Sequence, residues 1–212
     1  MAWQPDNMVK KWCRQLLFSV VLPQEKIQFL LKMHEKWGKT LAAQGKTLIY
    51  GGGRSGLMGV VADSTLAAGG RAIGVMPESL AEYELAHPHL TELYIVENMH
   101  ARKIKMSELA EGFIALPGGS GTLEEIFEQW TWAQLGIHSK PCAFLNVAGF
   151  YDDLLKFLRQ TSEKGFTQPR FCEALIVSNC IDNILQRFEQ YRAPEMKWEV
   201  SELEWVQQEL VK

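Results

Sequence analysis

Three glycines open the segment Pro117-Gly118-Gly119-Ser120-Gly121-Thr122-Leu123-Glu124-Glu125, and two adjacent carboxylates close it. An apolar run, Gly112 to Leu116, precedes it, and an amphipathic one, Leu123 to Leu135, follows. That order predicts strand, turn, helix. Glycine lets a backbone approach a ligand closely and adopt conformations that a Cβ would forbid. The N–H groups of such a turn and of the helix start converge on one spot, which suits a phosphate. No lysine follows the glycines, so the segment is not a Walker A loop. Thr122 and Glu125 also have the spacing of a capping box, in which both side chains satisfy orphan backbone donors. Spacing alone leaves Glu125 with either role.

A second glycine turn, Gly51-Gly52-Gly53-Arg54-Ser55-Gly56, follows the strand candidate Thr47 to Tyr50 and precedes a helix from Leu57 to Ala68. It satisfies G-x-G-x-x-G, but a dinucleotide site also needs a carboxylate at the end of the next strand. That strand, Ala72 to Met76, ends without one, and Glu78 comes two residues late. The turn therefore reads as nucleotide-holding or tightly packed, not as an NAD site. A third group, Met99, Arg102, Lys103 and Met106, falls on a helix that Asn98 can N-cap and that runs to about Ala110. By itself it is compatible with a solvated cationic turn.

Suppose a nucleoside 5'-monophosphate laid its phosphate on the Gly118–Thr122 turn. Cleaving its N-glycosidic bond develops positive charge on the ribose, so a nearby carboxylate would hold the hydroxyls, stabilise that charge or activate water. Glu125, expected on the first helical turn, is placed for this. Arg102 is permanently charged and a poor proton donor, so its roles would be to clamp phosphate or polarise the departing base.

These residues require a scaffold. Helical spacing links Ile27, Leu30, Leu31, His34, Trp37 and Leu41 up to Gly45. Leu16 to Leu22, Leu93 to Val96, Pro141 to Asn146 and Leu175 to Val177 read as further strands; Tyr151 to Glu163 and Ile181 to Tyr191 read as helices. Leu80 to Leu90 reads as a loop, and Trp130 and Leu135 as core. Short buried strands alternating with helices predict an α/β, Rossmann-like doubly wound parallel sheet with helices on both faces. Residues 1–15 read as a poorly ordered terminus and 16–212 as one domain. The stripe Val200, Leu203, Val206, Leu210 in the last segment would cover the sheet edge or meet a partner.

At 212 residues the chain can bury a sizeable core, and a net charge of -3 gives no reason to expect a nucleic-acid or membrane surface. Cys13, Cys142, Cys172 and Cys180 lack metal-type spacing and read as buried free thiols in a reducing, cytoplasmic compartment. His87 and His89 read as exposed loop histidines, and no metal or cofactor is implied. Leu16 to Leu22 is too short to span a bilayer, and no cleavage site follows it.

The three blocks together resemble the Lonely Guy (LOG) family, the cytokinin riboside 5'-monophosphate phosphoribohydrolases, long labelled lysine decarboxylase-like. The family's pattern Pro-Gly-Gly-x-Gly-Thr-x-x-Glu stands at Pro117–Glu125, its Gly-Gly-Gly-x-x-Gly-Leu-Met-Gly turn at Gly51–Gly59, and its Met-x-x-Arg-Lys block at Met99–Lys103. The chain departs from it early, with Leu22-Pro23-Gln24-Glu25 where relatives carry a Cys-Gly-Ser-Ser-type turn. The resemblance implies hydrolysis of AMP or an N6-substituted adenosine monophosphate to base and ribose 5-phosphate, by a homodimer. It implies Arg102 and Glu125 as catalytic residues. It implies substrate contacts at Glu84, Lys103, Gly118, Gly119, Ser120, Gly121, Thr122, Glu124 and Thr131, and at Gly52 and Gly53 of the other turn. The same scaffold resembles molybdenum-cofactor carrier proteins, so the alternative is a nucleotide- or cofactor-binding module without turnover.

Overall fold

The computed structural model describes residues 24–81 and 86–196. The expectations for the terminus 1–15, the strand at 16–22, Glu84 and the stripe beyond residue 197 lie outside those residues.

In chain order the elements are α1 (Gln24–Ala43), β1 (Thr47–Tyr50), α2 (Gly56–Ala67), β2 (Arg71–Pro77), α3 (Glu78–Ala81), β3 (Glu92–Val96), α4 (Met99–Leu109), β4 (Phe113–Ala115), α5 (Ser120–Gln134), β5 (Cys142–Leu145), α6 (Asp152–Glu163), α7 (Pro169–Glu173), β6 (Ile176–Ser178) and α8 (Ile181–Glu189). A short 3-10 turn, Val147–Gly149, links β5 to α6. The described strands form two three-stranded parallel sheets, ordered β1-β2-β3 and β4-β5-β6. Parallel strands are covered on both faces and so read as continuous apolar runs. β2 follows that rule, with every residue after Arg71 buried.

β5 shows the double winding most clearly. Its Cys142 and Phe144 pack with Trp130 of α5, Leu155 and Leu158 of α6 and Phe171 of α7. Ala143 and Leu145 point the other way, against Trp37 of α1 and Ile181, Ile184 and Leu185 of α8. Side chains alternate along a strand, so one four-residue strand feeds two cores. α1 ties the halves together: Trp37 enters the β5 core, while the helix also lies along α2. The Rossmann-like α/β fold expected from the alternation of elements is what the chain adopts, as a single domain.

Three local expectations need correction. Leu135 is 45% exposed. It lies five residues beyond Trp130, about 140° around the helix, so it faces away from the core that Trp130 enters. His87 is buried, because the segment around it folds back onto the first glycine turn. Cys142 is buried as expected, but Cys180, at the start of α8, is exposed.

Candidate active site at the ends of β1 and β4

In parallel α/β sheets, ligands bind beyond the carboxyl ends of the strands. The chain leaves β4 through Leu116 and Pro117 and enters α5 with Gly119 as N-cap. α5 thus begins at Ser120, three residues before its apolar pattern starts. This removes the capping reading of Glu125. Thr122 lies inside the first turn, not at the cap, and no side chain caps the helix. The capping-box spacing is therefore coincidental, and Glu125 lies on the second turn, not the first. Gly119, Ser120 and Gly121 are exposed, so an uncapped helix start faces solvent. Its first N–H groups have no intrahelical acceptor and, with the helix dipole, favour an anion. Gly118 makes the turn possible: a Cβ there would come within 2.2 Å of the Thr122 hydroxyl.

α4 brings the cations. Asn98 caps it, as its spacing suggests, its side chain accepting from Ala101 N–H. Arg102 is 9% exposed and lies across the first glycine turn. A Cβ on Gly51 would fall 1.8 Å from Arg102 Nη2, so only glycine leaves room for the guanidinium. Nη2 faces Glu125 Oε1 at 3.8 Å, an ion pair too long for a hydrogen bond. Arg102 Nε has no partner, and Nη1 reaches only the Met99 sulfur at 3.6 Å. A buried guanidinium left this incompletely satisfied is the feature expected where an anionic or carbonyl-bearing ligand completes the set.

Glu125 is half-buried, and burial, the largest influence, pushes its carboxyl above the ordinary glutamate value. Arg102 opposes that, Glu124 reinforces it, Lys103 opposes it and Glu128 reinforces it. A carboxyl whose pKa burial raises against the pull of neighbouring cations is suited to accept a proton or face a developing cation.

Lys103 is 9% exposed and donates to Glu124 at 2.5 Å and Glu128 at 2.8 Å. Those bonds, Glu124's first, raise its pKa. Glu128 was not a sequence candidate, although its spacing of four from Glu124 is the available signal. Of the other candidates, Gly118 to Thr122 form the open turn. Gly52 and Gly53 are buried: the Gly52 carbonyl accepts from His87 N–H, and Gly53 bridges Ala86. Thr131 lies about 16 Å along the helix axis from Ser120; its hydroxyl donates to the Phe127 carbonyl. This chain alone does not bring Thr131 to the turn.

Two bracing residues escaped the sequence. His87 accepts from His89 N–H at Nδ1, so its Nε2 carries the proton and donates to Asp63 at 3.0 Å, pinning the glycine turn to α2. Tyr151 is buried, and its hydroxyl donates to the Leu116 carbonyl at 2.5 Å, just before the second turn. Among the described residues no group of three or more His, Cys, Asp or Glu side chains could hold a metal, and no helix is long and apolar enough to cross a membrane.

Comparison with known proteins bears directly on this geometry. The family model described as "Possible lysine decarboxylase" matches residues 58–188. A rice protein named probable cytokinin riboside 5'-monophosphate phosphoribohydrolase LOGL1 is 41% identical over 172 residues, covering 78% of this chain and 77% of the relative. A Rhodococcoides fascians protein named cytokinin riboside 5'-monophosphate phosphoribohydrolase is 44% identical over 155 residues, covering 73% and 78%. Among solved structures, the molybdenum cofactor carrier protein of Chlamydomonas reinhardtii superposes with a TM-score of 0.56 at 19% identity, covering 77% of this chain and 88% of that one, a likeness of fold alone. By the family model and by relatives 41% and 44% identical over most of their length, the chain belongs to the LOG family, whose family model carries the lysine decarboxylase description.

Proposed function

We propose that the chain hydrolyses the N-glycosidic bond of adenosine 5'-monophosphates, including N6-substituted ones, to the free base and ribose 5-phosphate. The observation that carries this reading is the Arg102–Glu125 pair, 3.8 Å apart beside the uncapped start of α5. The 5'-phosphate rests on the Gly118–Thr122 turn, where the helix dipole favours it. The ribose then lies toward Glu125. As the C1'–N9 bond lengthens, the Glu125 carboxylate stabilises the oxocarbenium-like ribose and takes the proton of the attacking water. The water oxygen bonds to C1', the bonding pair leaves on N9, and N9 gains a proton from solvent. Arg102, unable to give up a proton, clamps phosphate or polarises the leaving base.

The names of the relatives support a cytokinin nucleotide as substrate. The active form is a homodimer, for which Leu93 and Ile95 on β3 and Met99 and Ile104 on α4 supply exposed apolar surface. The test is base release from AMP, from N6-isopentenyl AMP and from the corresponding riboside. Release from both monophosphates and none from the riboside is expected. Tight binding of the monophosphates without release would instead favour a carrier on this fold.

A further inference from the structure

Adjacent cations on α4, Arg102 and Lys103, face adjacent carboxylates on α5, Glu125 and Glu124, yet the two couples differ in kind. Arg102 and Glu125 stop 0.3 Å or more short of bonding, at 3.8 Å against the ordinary ~3.5 Å limit. Lys103 is hydrogen-bonded to two carboxylates. Its ammonium bonds Glu124 and Glu128, one helical turn apart, while its side chain is 9% exposed. Among the described residues these are the hydrogen bonds that join α4 to α5. The Lys103 side chain is covered, while Glu124 is 54% exposed and Glu128 22%, so the node's hold comes from one ammonium bridging two carboxylates on successive turns rather than from deep burial. The loose couple is its immediate neighbour on both helices.

We propose that Lys103, with Glu124 and Glu128, is a positioning residue that holds Arg102 and Glu125 apart, rather than a contact to substrate. The proposal rests on the hydrolase reading above. The gap leaves both groups free to engage the nucleotide; closed to hydrogen-bonding distance, they would satisfy each other. Small displacements of reacting groups are costly, on the order of 10²-fold per ångström.

The charged groups facing Glu125 are Arg102 and Lys103 from α4 and Glu124 and Glu128 from its own helix. Lys103 holds the Glu125 carboxyl down and Glu128 holds it up. Loss of the Lys103 charge alone would therefore raise it, whereas closure of Arg102 onto Glu125 would lower it. The experiment is carboxyl 13C NMR titration of Glu125 in the full-length chain, wild type, Lys103→Met and Lys103→Gln, alongside kcat and KM for AMP. Expected is a lower Glu125 pKa in both variants, the sign that closure of the gap produces and loss of a cation does not. Lys103→Met should lower kcat about tenfold or more with a smaller change in KM, and Lys103→Arg should recover part of it. Lys103→Met that raises KM at unchanged kcat, or that raises the Glu125 pKa or leaves it where it was, would overturn the proposal. Should Lys103→Met not fold, Lys103→Gln decides by the same sign. A wild type without turnover sinks the hydrolase reading, while the titrations still decide whether Lys103 governs Glu125.

Discussion

Glu125 carries two opposed influences, and their order fixes how the protein should respond to pH. Burial raises its carboxyl and outweighs Arg102, which lowers it. If the ionised form works, the acid limb of the pH–rate profile lies above the usual glutamate value of 4.5. Arg102→Met removes the main lowering influence and moves the limb further up, which a kcat/KM profile would show. The same shift has a sign for stability. A carboxyl raised in the folded state stabilises when protonated, and that contribution is lost as pH rises through the folded pKa. Glu125→Gln should thus melt no lower than wild type at pH 7 by calorimetry. Gly51 offers a sharper test, since a Cβ would fall 1.8 Å from Arg102 Nη2. Gly51→Ala should displace the guanidinium and lower turnover by about 10²-fold while the chain still folds. Arg102 and Glu125 are singled out by their match to the family's blocks, since spacing alone leaves a solvated cationic turn for the one and a capping box for the other. The part of Gly51 is not legible, since its need for glycine comes from a side chain about fifty residues away.

At the scale of elements, the strands were legible and the start of α5 was not. Buried parallel strands announce themselves as apolar runs; Ser120-Gly121-Thr122 shows neither apolar periodicity nor strong helix propensity. The helix begins there all the same, which moves Glu125 one turn inward and leaves the first turn uncapped. The turn is braced from behind by Tyr151, which lies past a strained corner where Ala148 takes φ 51°. Asn146 fixes that corner, accepting from Tyr151 N–H and donating to Asp152. Tyr151→Phe leaves the Leu116 carbonyl unpaired and should cost about 1–2 kcal/mol by denaturant unfolding. Because that carbonyl precedes the turn proposed to hold the phosphate, KM for the monophosphate should rise as well. An unchanged KM would confine Tyr151 to stability.

At the scale of the molecule, the two glycine turns come together because β1 and β4 both deliver their carboxyl ends to the site and α4 reaches across. Arg102 touches the first turn and faces the helix of the second. Parallel winding was readable from the alternation of strand and helix, while the pairing of Lys103 with Glu124 and Glu128 depends on how α4 meets α5 in three dimensions. Leu93, Ile95, Met99 and Ile104 are exposed and would be covered in the proposed homodimer. Sedimentation velocity should show a dimer that an Ile95→Glu, Ile104→Glu variant weakens, whereas a wild-type monomer would remove the homodimer from the account. The central claim is tested most directly by following ribose 5-phosphate release from AMP and N6-isopentenyl AMP with wild type and Glu125→Gln. Hydrolysis by wild type and at least a 10²-fold lower rate in a folded Glu125→Gln variant are predicted. Equal rates in the two proteins would contradict it.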